Sequence, residues 1–424
     1  MRFQTLSEWL SWQETLHFTE VDPGLDRIAC VWECLEGSAT LPFTVITIAG
    51  TNGKGSSVAL LESILRHAGY KIGTYTSPHI LSYNERICIN AKPASDKEIC
   101  NAFNDIDLAR GKVSLTYFEF ATLAAVRIFE QQEVDIAILE VGMGGRLDAV
   151  NLFDTDIALI TPISLDHINW LGDTREKIGF EKAGIITQQN PVVCSESPPR
   201  SVFQHALALD SDLYQADKDF QVEQREGEWD WSNQKAKRLN LPYPALEGQY
   251  QLQNAAGVLQ VISLLEPQKY SVSDHAIREG LKHVELTGRF QRILGDVELI
   301  LDVTHNLQGA KNLVALLAEI PAQGKTYAVV AMLNDKDVSG VSAILSKSID
   351  KWFVASLEGD RGMSSTDLAE QLKKSVNSEA MLISDDVESA YKQALNHAVT
   401  GDRVLVFGSF HTVEAAIRIQ NKGK

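Results

Sequence analysis

The stretch ITIAGTNGKGSS, residues 46 to 57, has the pattern of a strand that runs into a glycine-rich turn and then into a helix. The glycines allow a tight turn that presents backbone N–H groups to an anion, and the helix would add its positive end. Lys54 would supply a mobile charge for the outer phosphates of a nucleotide. The standard phosphate-binding loop has a glycine where Ile48 stands and a hydroxyl where Gly55 stands. We expect a phosphate-binding loop whose metal-binding hydroxyl lies elsewhere; an ordinary turn with a surface lysine is the alternative.

Length and composition bound the class of protein. The chain has 424 residues, which is longer than a domain with a single hydrophobic core usually is. Its residues are 44% apolar and 22% charged, which is the composition of a globular protein. Its net charge of −17 argues against a nucleic-acid or anionic-membrane binder, because both need a surplus of Lys and Arg. No apolar run has the length of a secretory signal or a membrane span. We expect a cytoplasmic protein of two domains that binds neither nucleic acid nor membrane.

The five cysteines are an odd number without paired spacing, which fits reduced thiols. Cys30 and Cys34 could share one helix face as metal ligands, but no second Cys/His pair follows at zinc spacing. Structural burial is therefore the favoured interpretation of both.

Short apolar runs alternate with amphipathic stretches, the pattern of a mostly parallel sheet covered by helices. In the first half, strands are predicted at residues 44–50, 71–77, 134–142, 156–163 and 190–196, and helices at 56–67 and 116–131. A polar region after residue 197 predicts antiparallel strands, and a helix is predicted at 253–265. The alternation then restarts, with strands at 298–305, 326–333, 351–357, 380–384 and 403–409 and helices at 308–319, 365–375, 386–398 and 412–421.

This order predicts an α/β protein of two domains. Residues 1–290 would form a P-loop mononucleotide-binding domain, a parallel sheet flanked by helices, and residues 291–424 a smaller Rossmann-like α/β domain.

Polar side chains follow several predicted strands. Ser77 and His79 follow the second strand, Glu140 ends the third after a buried run, and His167 follows the fourth. A carboxylate at the end of a buried strand is costly unless a cation or metal pairs with it, as a magnesium ligand does in phosphate-transfer enzymes. If the strands are neighbours, these side chains and Lys54 share one edge of the sheet. That position predicts a metal or phosphate role for His167.

Further candidates lie later in the chain. Asp302 and His305 follow one strand of the second domain, and Ser409 and His411 follow another. Lys182 falls inside a predicted helix, where a solvated surface charge is the simplest interpretation.

Eleven segments together carry a resemblance to a known family. They are, in chain order, LHFTEVDPGLDR, AGTNGKGS, TSPH, SLTYFEFATL, LEVGMGGRLDAVN, LDHINWLG, EKAGI, TGRFQ, LDVTHN, MLNDKD and GSFHT. They resemble the folylpolyglutamate synthases of the Mur ligase superfamily, and within them the bacterial members that are also dihydrofolate synthases. The resemblance implies an ATP-dependent ligase that joins the carboxylate of a pteroate or folate to the amino group of L-glutamate. An acyl phosphate would be the intermediate, and ADP would be released.

The resemblance also implies site residues. It implies ATP contacts at Thr51, Asn52, Gly53, Lys54, Asn254, Arg289 and Asp302, and magnesium ligands at Ser77, Glu140 and His167. It implies binding of dihydropteroate at Thr15, Leu16, His17, Thr116, Tyr117, Phe118, Glu119, Leu147, Asp148 and Ala149. Catalytic roles are expected for Lys54, His167, Lys182 and His305.

Two of these expectations are specific. Lys182 falls on the lysine that the superfamily carries as a carbamate, which would turn a cation into an anion able to bind a second Mg²⁺. His305 is a candidate for contacting the transferring phosphate or the incoming glutamate. One departure is Leu307, because the family often has a proline after the Asn of LDVTHN.

The predicted activity has three rivals. Within the family, an enzyme that extends dihydrofolate or tetrahydrofolate without using dihydropteroate is possible, although SLTYFEF and LHFTEVDPGLDR favour the dual activity. A nucleotide-dependent switch would not need the polar strand ends of a second α/β domain. A dinucleotide-dependent oxidoreductase fails on glycine spacing. A monomer is preferred, because the sequence has no obvious exposed apolar stripe.

Overall fold

The structure is a computed structural model that describes residues 1–35, 37–38 and 40–422, without the side chain of residue 268. Contacts within it form two compact units. The first contains Met1–Ser164, Ile168–Ala245 and Gln251–Val284, and the second contains Leu165–His167, Leu246–Tyr250 and the chain from Glu285 onward. The second unit thus includes residues 165–167, 246–250 and 285–290, which the prediction assigns to the first domain. The assignment of functions to the two domains stays a prediction.

The strands of the first unit form two sheets. They are β1 (Thr44–Ala49), β2 (Ile72–Tyr75), β3 (Ile87–Ile89), β4 (Lys92–Pro93), β5 (Ile136–Glu140), β6 (Ile157–Ile160), β7 (Val192–Cys194), β8 (Leu213–Gln215), β9 (Phe220–Gln224), β10 (Glu228–Asn233) and β11 (Lys237–Pro242). The large sheet has the order β4-β3-β2-β5-β1-β6-β7-β8, and the small antiparallel sheet has the order β11-β10-β9. From β2 to β8 all neighbours in the large sheet are parallel. Strands β1 and β5 are almost wholly buried, as expected of parallel strands covered on both faces.

Helices cover this sheet. They are α1 (Leu6–Gln13), α2 (Asp26–Cys34), α3 (Lys54–His67), α4 (Asp96–Arg110), α5 (Tyr117–Gln131), α6 (Ile168–Leu171), α7 (Arg175–Ala183), α8 (Arg200–Ala208), α9 (Gln249–Leu265) and α10 (Asp274–Lys282). Helix α5 begins with a capping box, in which Thr116 and Glu119 each bond the backbone of the other. Trp9, Phe103 and Phe120 pack ring against ring in the core between α1, α4 and α5.

The second unit is a six-stranded sheet with its own helices. Its elements are β12 (Gln291–Ile293), β13 (Glu298–Asp302), α11 (Leu307–Glu319), β14 (Thr326–Val330), α12 (Val338–Leu345), β15 (Lys351–Val354), α13 (Ser365–Leu372), β16 (Met381–Ile383), α14 (Val387–His397), β17 (Arg403–Phe407) and α15 (Phe410–Lys422). The strand order is β12-β13-β17-β14-β15-β16, with only the β12–β13 pair antiparallel among these described strands. Asn306 caps α11 through a 2.9 Å bond from the Gly309 amide, so the helix starts without the proline that the family often carries.

The α/β class and the predicted strands are confirmed, and four details differ. β5 lies between β1 and β2, so the first two predicted strands are not neighbours. Helix α3 begins at Lys54, two residues before its predicted start. Cys30 and Cys34 are exposed, so the prediction that they are buried is wrong. Several helices were not predicted, among them α4, α8, α10 and α12, and α8 lies where the sequence predicts antiparallel strands. In the part of the chain that the structure describes, no helix is long and apolar enough to cross a membrane.

Candidate active site

The glycine-rich loop lies between β1 and α3, as its sequence predicts. Gly53 has a φ of +92°, and a Cβ there would lie 2.5 Å from Oδ1 of Asn254. The loop therefore requires glycine at this position, and Asn254, a predicted ATP contact, borders it. Gly53 provides no side-chain cap for α3, which leaves the first helical turn open to an anion.

Thr51 and Asn52 tie the loop to the segment that follows β6. Their amides donate to the Pro162 carbonyl at 2.9 and 3.3 Å. The Thr51 hydroxyl donates to the Ser164 carbonyl at 3.0 Å and accepts from the Ser164 amide at 3.1 Å. Because these two backbone amides donate to a carbonyl of the protein, Thr51 and Asn52 stabilise the conformation of the loop.

Two lysines converge on the Gly50 carbonyl. Nζ of Lys54 lies 3.2 Å from this oxygen, and Nζ of Lys182 lies 2.8 Å from it. Lys182 is only 4% exposed, so its interpretation as a solvated surface charge is wrong. Two ammonium groups at one carbonyl repel each other, and an anion placed between them would relieve that repulsion.

Ser77 and Glu140 lie together at the ends of neighbouring strands. The Ser77 amide donates to Oε2 of Glu140 at 3.2 Å, and Glu140 is 5% exposed. Glu140 is paired with Ile48 in the β1–β5 register, two residues before the glycine-rich loop. The pair is therefore beside the glycine-rich loop, and its oxygen atoms are of the type that Mg²⁺ prefers.

No group of three or more His, Cys, Asp or Glu side chains within the described ranges is arranged to hold a metal ion. Mg²⁺ often needs only one or two protein oxygen atoms, because waters and substrate phosphates complete its shell. Ser77 and Glu140 fit that requirement. His167, the third predicted ligand, belongs to the second unit and has a φ of +50°, unusual for a residue with a side chain.

A charged network joins the N-terminal segment to the start of α5. His17 contacts Oγ of Ser114 through Nδ1 at 2.9 Å and Asp22 through Nε2 at 3.1 Å. Arg27 donates to Oδ2 of Asp22 at 2.6 Å and to Oε1 of Glu119 at 3.1 Å. Two of the three predicted pterin-binding segments, residues 15–17 and 116–119, are thereby held together.

The third predicted pterin-binding segment approaches the same helix. The ring of Phe118 lies over Gly142, where a Cβ would be 2.7 Å from the ring. Asp148 accepts from the amides of Met143 at 2.8 Å and Val150 at 3.1 Å. Burial raises the pKa of the Asp148 carboxyl to about 6, against the opposing effect of these bonds and of the charge of Lys182.

In the second unit, Asp302 holds a turn. Its two oxygen atoms accept from the amides of Phe290 and Thr304, each at 2.8 Å. Arg289 stacks on Phe410, with its guanidinium carbon 5.2 Å from the ring centre. The two predicted ATP contacts of this unit, Arg289 and Asp302, are thus joined through Phe290.

His305 belongs to a second polar cluster of this unit. Its Nδ1 lies 2.8 Å from the Val303 carbonyl and its Nε2 lies 3.5 Å from Asp166. Lys336, whose side chain is 6% exposed, pairs with Asp166 at 2.9 Å. Burial alone would raise the pKa of Asp166, but the hydrogen bond and charge of His305 and the charge of Lys336 hold it well below its usual range.

Known proteins match the chain along nearly its whole length. The profile of the Mur ligase middle domain matches residues 48–262, and that of the Mur ligase glutamate ligase domain matches residues 288–410. A dihydrofolate synthase/folylpolyglutamate synthase of Haemophilus influenzae is 43% identical over 96% of this chain and 96% of its own. The corresponding Escherichia coli protein is 39% identical over 98% of this chain and 95% of its own. The chain belongs to the dihydrofolate synthase/folylpolyglutamate synthase family of Mur ligases.

Solved structures of this family have the same fold. Escherichia coli FolC in complex with DHPP and ADP superposes with a TM-score of 0.92 at 39% identity, over 99% of this chain and 98% of its own. A bifunctional folylpolyglutamate synthase/dihydrofolate synthase with Mn, AMPPNP and L-glutamate bound gives a TM-score of 0.90 at 43% identity, with the same coverage.

Sequence reasoning assigned no role to Arg27 or Lys336. Arg27 lies in LHFTEVDPGLDR and Lys336 lies in MLNDKD. Both segments carry the family resemblance, but neither residue was predicted to have a role. The sequence signal that could have identified Arg27 and Lys336 is that each is a charged residue inside a family motif.

Proposed function

We propose that the chain is an ATP-dependent ligase that adds L-glutamate to dihydropteroate, forming dihydrofolate, and to reduced folates, forming polyglutamates. The observation that carries the proposal is the position of Glu140, which pairs with Ile48 beside the phosphate loop and bonds Ser77 from the other neighbouring strand. Metal-ligand oxygen atoms and a phosphate loop at one sheet edge are what phosphoryl transfer needs. Membership of a family whose curated relatives carry both activities in their names supports the dual reading over folate extension alone.

The first step would transfer the γ-phosphoryl group of ATP to the substrate carboxylate. Both reactants are anionic, so the site must offset charge as they approach. Lys54 supplies one positive charge from the loop. Ser77 and Glu140 would hold Mg²⁺, which as a Lewis acid would offset phosphate charge, and His167 stays a predicted third ligand. Binding of manganese and an ATP analogue by a relative supports this metal and nucleotide use.

Lys182 is proposed to be carbamylated. Carbamylation adds an uncharged amine to carbon dioxide and releases one proton, and Lys182 is buried with its Nζ at the Gly50 carbonyl, which Nζ of Lys54 also contacts. The resulting anion would lie beside Lys54 and could bind a second Mg²⁺.

The pterin and glutamate are assigned to different parts of the chain. The three segments joined by Arg27, Glu119 and Phe118 would bind dihydropteroate or a folate. In the second unit, Arg289 and Asp302 would contact ATP, and His305 would contact the phosphate or the glutamate. The monomeric state and cytoplasmic location stay predictions.

Release of ADP, measured separately with dihydropteroate and with tetrahydrofolate in the presence of ATP, Mg²⁺ and L-glutamate, tests the proposal. We expect glutamate-dependent ADP release with both. Turnover with tetrahydrofolate alone would reduce the function to folate extension. ADP release without an amide product, identified by mass spectrometry, would contradict a ligase.

A further inference from the structure

Arg86 is a half-buried cation that lies against two neighbouring aromatic rings. Its guanidinium carbon lies 5.6 Å from the ring centre of Tyr83 and 5.5 Å from that of Tyr117. Its Nε–H donates to Nδ1 of His79 at 2.9 Å. Within residues 1–35, 37–38 and 40–422, neither Nη atom has a hydrogen bond or an ion pair. The two outer nitrogens of this guanidinium can therefore still take a ligand.

Most other arginines of the first unit that are shielded from solvent pair with carboxylates, whereas Arg278 donates to the backbone carbonyls of Leu239 and Asn240. Arg27 pairs with Glu119, Arg110 with Asp107 and Arg127 with Glu130. Pairing with a carboxylate is the usual arrangement, because a shielded charge without a counter-ion is costly.

The faces of Tyr83 and Tyr117 offset part of the cost for Arg86. In a chain with a net charge of −17, the missing counter-ion does not reflect a shortage of carboxylates. The arrangement is that of a cation kept available for an anionic ligand.

The loop that carries Arg86 is well braced. The Glu85 carboxylate accepts from the amides of Ile80, Leu81 and Ser82 at 2.8 to 2.9 Å. A cation fixed in this way loses little conformational entropy when it binds.

Its surroundings connect two parts of the proposed site. Arg86 stacks on Tyr117, which belongs to the predicted pterin-binding segment 116–119. The same loop begins beside Ser77, whose amide bonds Glu140. Arg86 thus lies beside the predicted pterin-binding segment. It is on the same loop as Ser77, the proposed metal ligand.

We propose that Arg86 binds the carboxylate of a folate substrate that does not react, and so serves the second activity more than the first. This inference rests on the proposed function. Dihydropteroate has one carboxylate, which is consumed in the new amide. A folate that already carries glutamate has two on that residue, and one remains as a spectator. The two Nη groups of Arg86 offer the planar pair of donors that a carboxylate accepts.

The test compares KM for tetrahydrofolate and for dihydropteroate in Arg86→Gln. Loss of one charge-assisted pair raises KM for tetrahydrofolate roughly ten- to a hundredfold. The rise in KM for dihydropteroate is expected to be at least about tenfold smaller, because that substrate has no spectator carboxylate. Arg86→Lys, which keeps the charge and loses the fork, should restore part of the difference. Arg200→Gln, an exposed arginine on α8, is the matched control and should shift neither KM.

Equal rises in both KM values would assign Arg86 to the reacting carboxylate or the pterin and overturn the inference. Unchanged KM values would overturn it as well. Thermal unfolding of Arg86→Gln separates these results from a loss of fold, and Arg86→Lys supplies the answer if the glutamine variant does not fold. The wild-type rates test the proposed function on their own. If the wild type turns over both substrates but Arg86→Gln changes both KM values equally or not at all, only the role of Arg86 is contradicted.

Discussion

Glu140 is the residue on which the proposed chemistry depends most directly. Its carboxylate is 5% exposed, pairs with the Ser77 amide and lies next to the phosphate loop. Glu140→Gln keeps the shape and one acceptor oxygen but removes the charge that would bind Mg²⁺. We expect ligation, measured as glutamate-dependent ADP release, to fall by at least about a hundredfold, the scale of removing one electrostatic group from a transition state. Near-normal activity at saturating Mg²⁺, with an unchanged circular dichroism spectrum, would contradict the assignment.

Asp148 predicts a pH dependence of stability. Burial raises its folded-state pKa to about 6 from an ordinary value of 3.8, so the folded protein holds this proton more tightly than the unfolded chain. Stability from this group is fully present below pH 4 and is lost as pH rises through 6. The loss is on the order of 3 kcal/mol.

Urea unfolding of the wild type and of Asp148→Asn between pH 4 and 7 measures this contribution. The variant cannot titrate at this position, so its unfolding free energy should decline less over the interval, whatever its absolute stability. Parallel pH profiles for the two proteins would show that Asp148 has an ordinary pKa in the folded state.

At the scale of elements, the phosphate-loop helix α3 depends on a close contact with α10. A Cβ on Gly280 would lie 2.5 Å from the Cα and Cγ1 atoms of Ile64, and Oγ of Ser63 donates to the Gly280 carbonyl at 2.8 Å. Gly280→Ala must push the helices apart, although alanine is the better helix former. We expect the free energy of unfolding to fall by about 1 to 3 kcal/mol, the usual cost of overpacking.

Urea unfolding of Gly280→Ala beside Gly24→Ala is the measurement. A Cβ on Gly24 meets nothing within 4 Å, so this change adds the same methyl group to open space. Equal unfolding free energies for the two variants would show that α3 and α10 can move apart without loss of stability.

Sequence signals predicted elements well where they act locally. The TVITIA strand and the Thr116–Glu119 capping box place β1 and the start of α5 from a few adjacent residues. Helix α12 was missed, since its sequence VSGVSAIL is rich in Val, Ser and Gly, which are weak helix formers. The exposure of Cys30 and Cys34 was also missed, because which side of α2 faces the core depends on distant elements.

At the scale of the whole molecule, Phe290 gives a test of where the second unit begins. Phe290 is 2% exposed in the core of that unit, and its amide donates to Asp302 at 2.8 Å. The sequence places the boundary after this residue. A fragment of residues 285–424 should therefore be more stable than one of residues 291–424 by about 3 kcal/mol or more, the usual effect of removing a buried phenylalanine.

Urea unfolding of the two fragments, followed by circular dichroism, makes the comparison. Residues 285–424 with Phe290→Ala is the matched control, and it should lose most of the added stability. Equal stability of the two fragments would support a boundary after residue 290.

The sequence by itself determined the α/β class, the glycine-rich loop between β1 and α3 and the polar residues at strand ends, because each depends on neighbouring residues and on side-chain periodicity. Only the tertiary structure decided which of these polar residues lie next to one another and next to the loop. Insertion of β5 between β1 and β2 puts Glu140 between the loop and Ser77. Packing of α7 buries Lys182 against Gly50, and no carboxylate of the described residues forms an ion pair with Arg86. Strand order and side-chain burial result from contacts between residues far apart in the chain, and no local pattern records them.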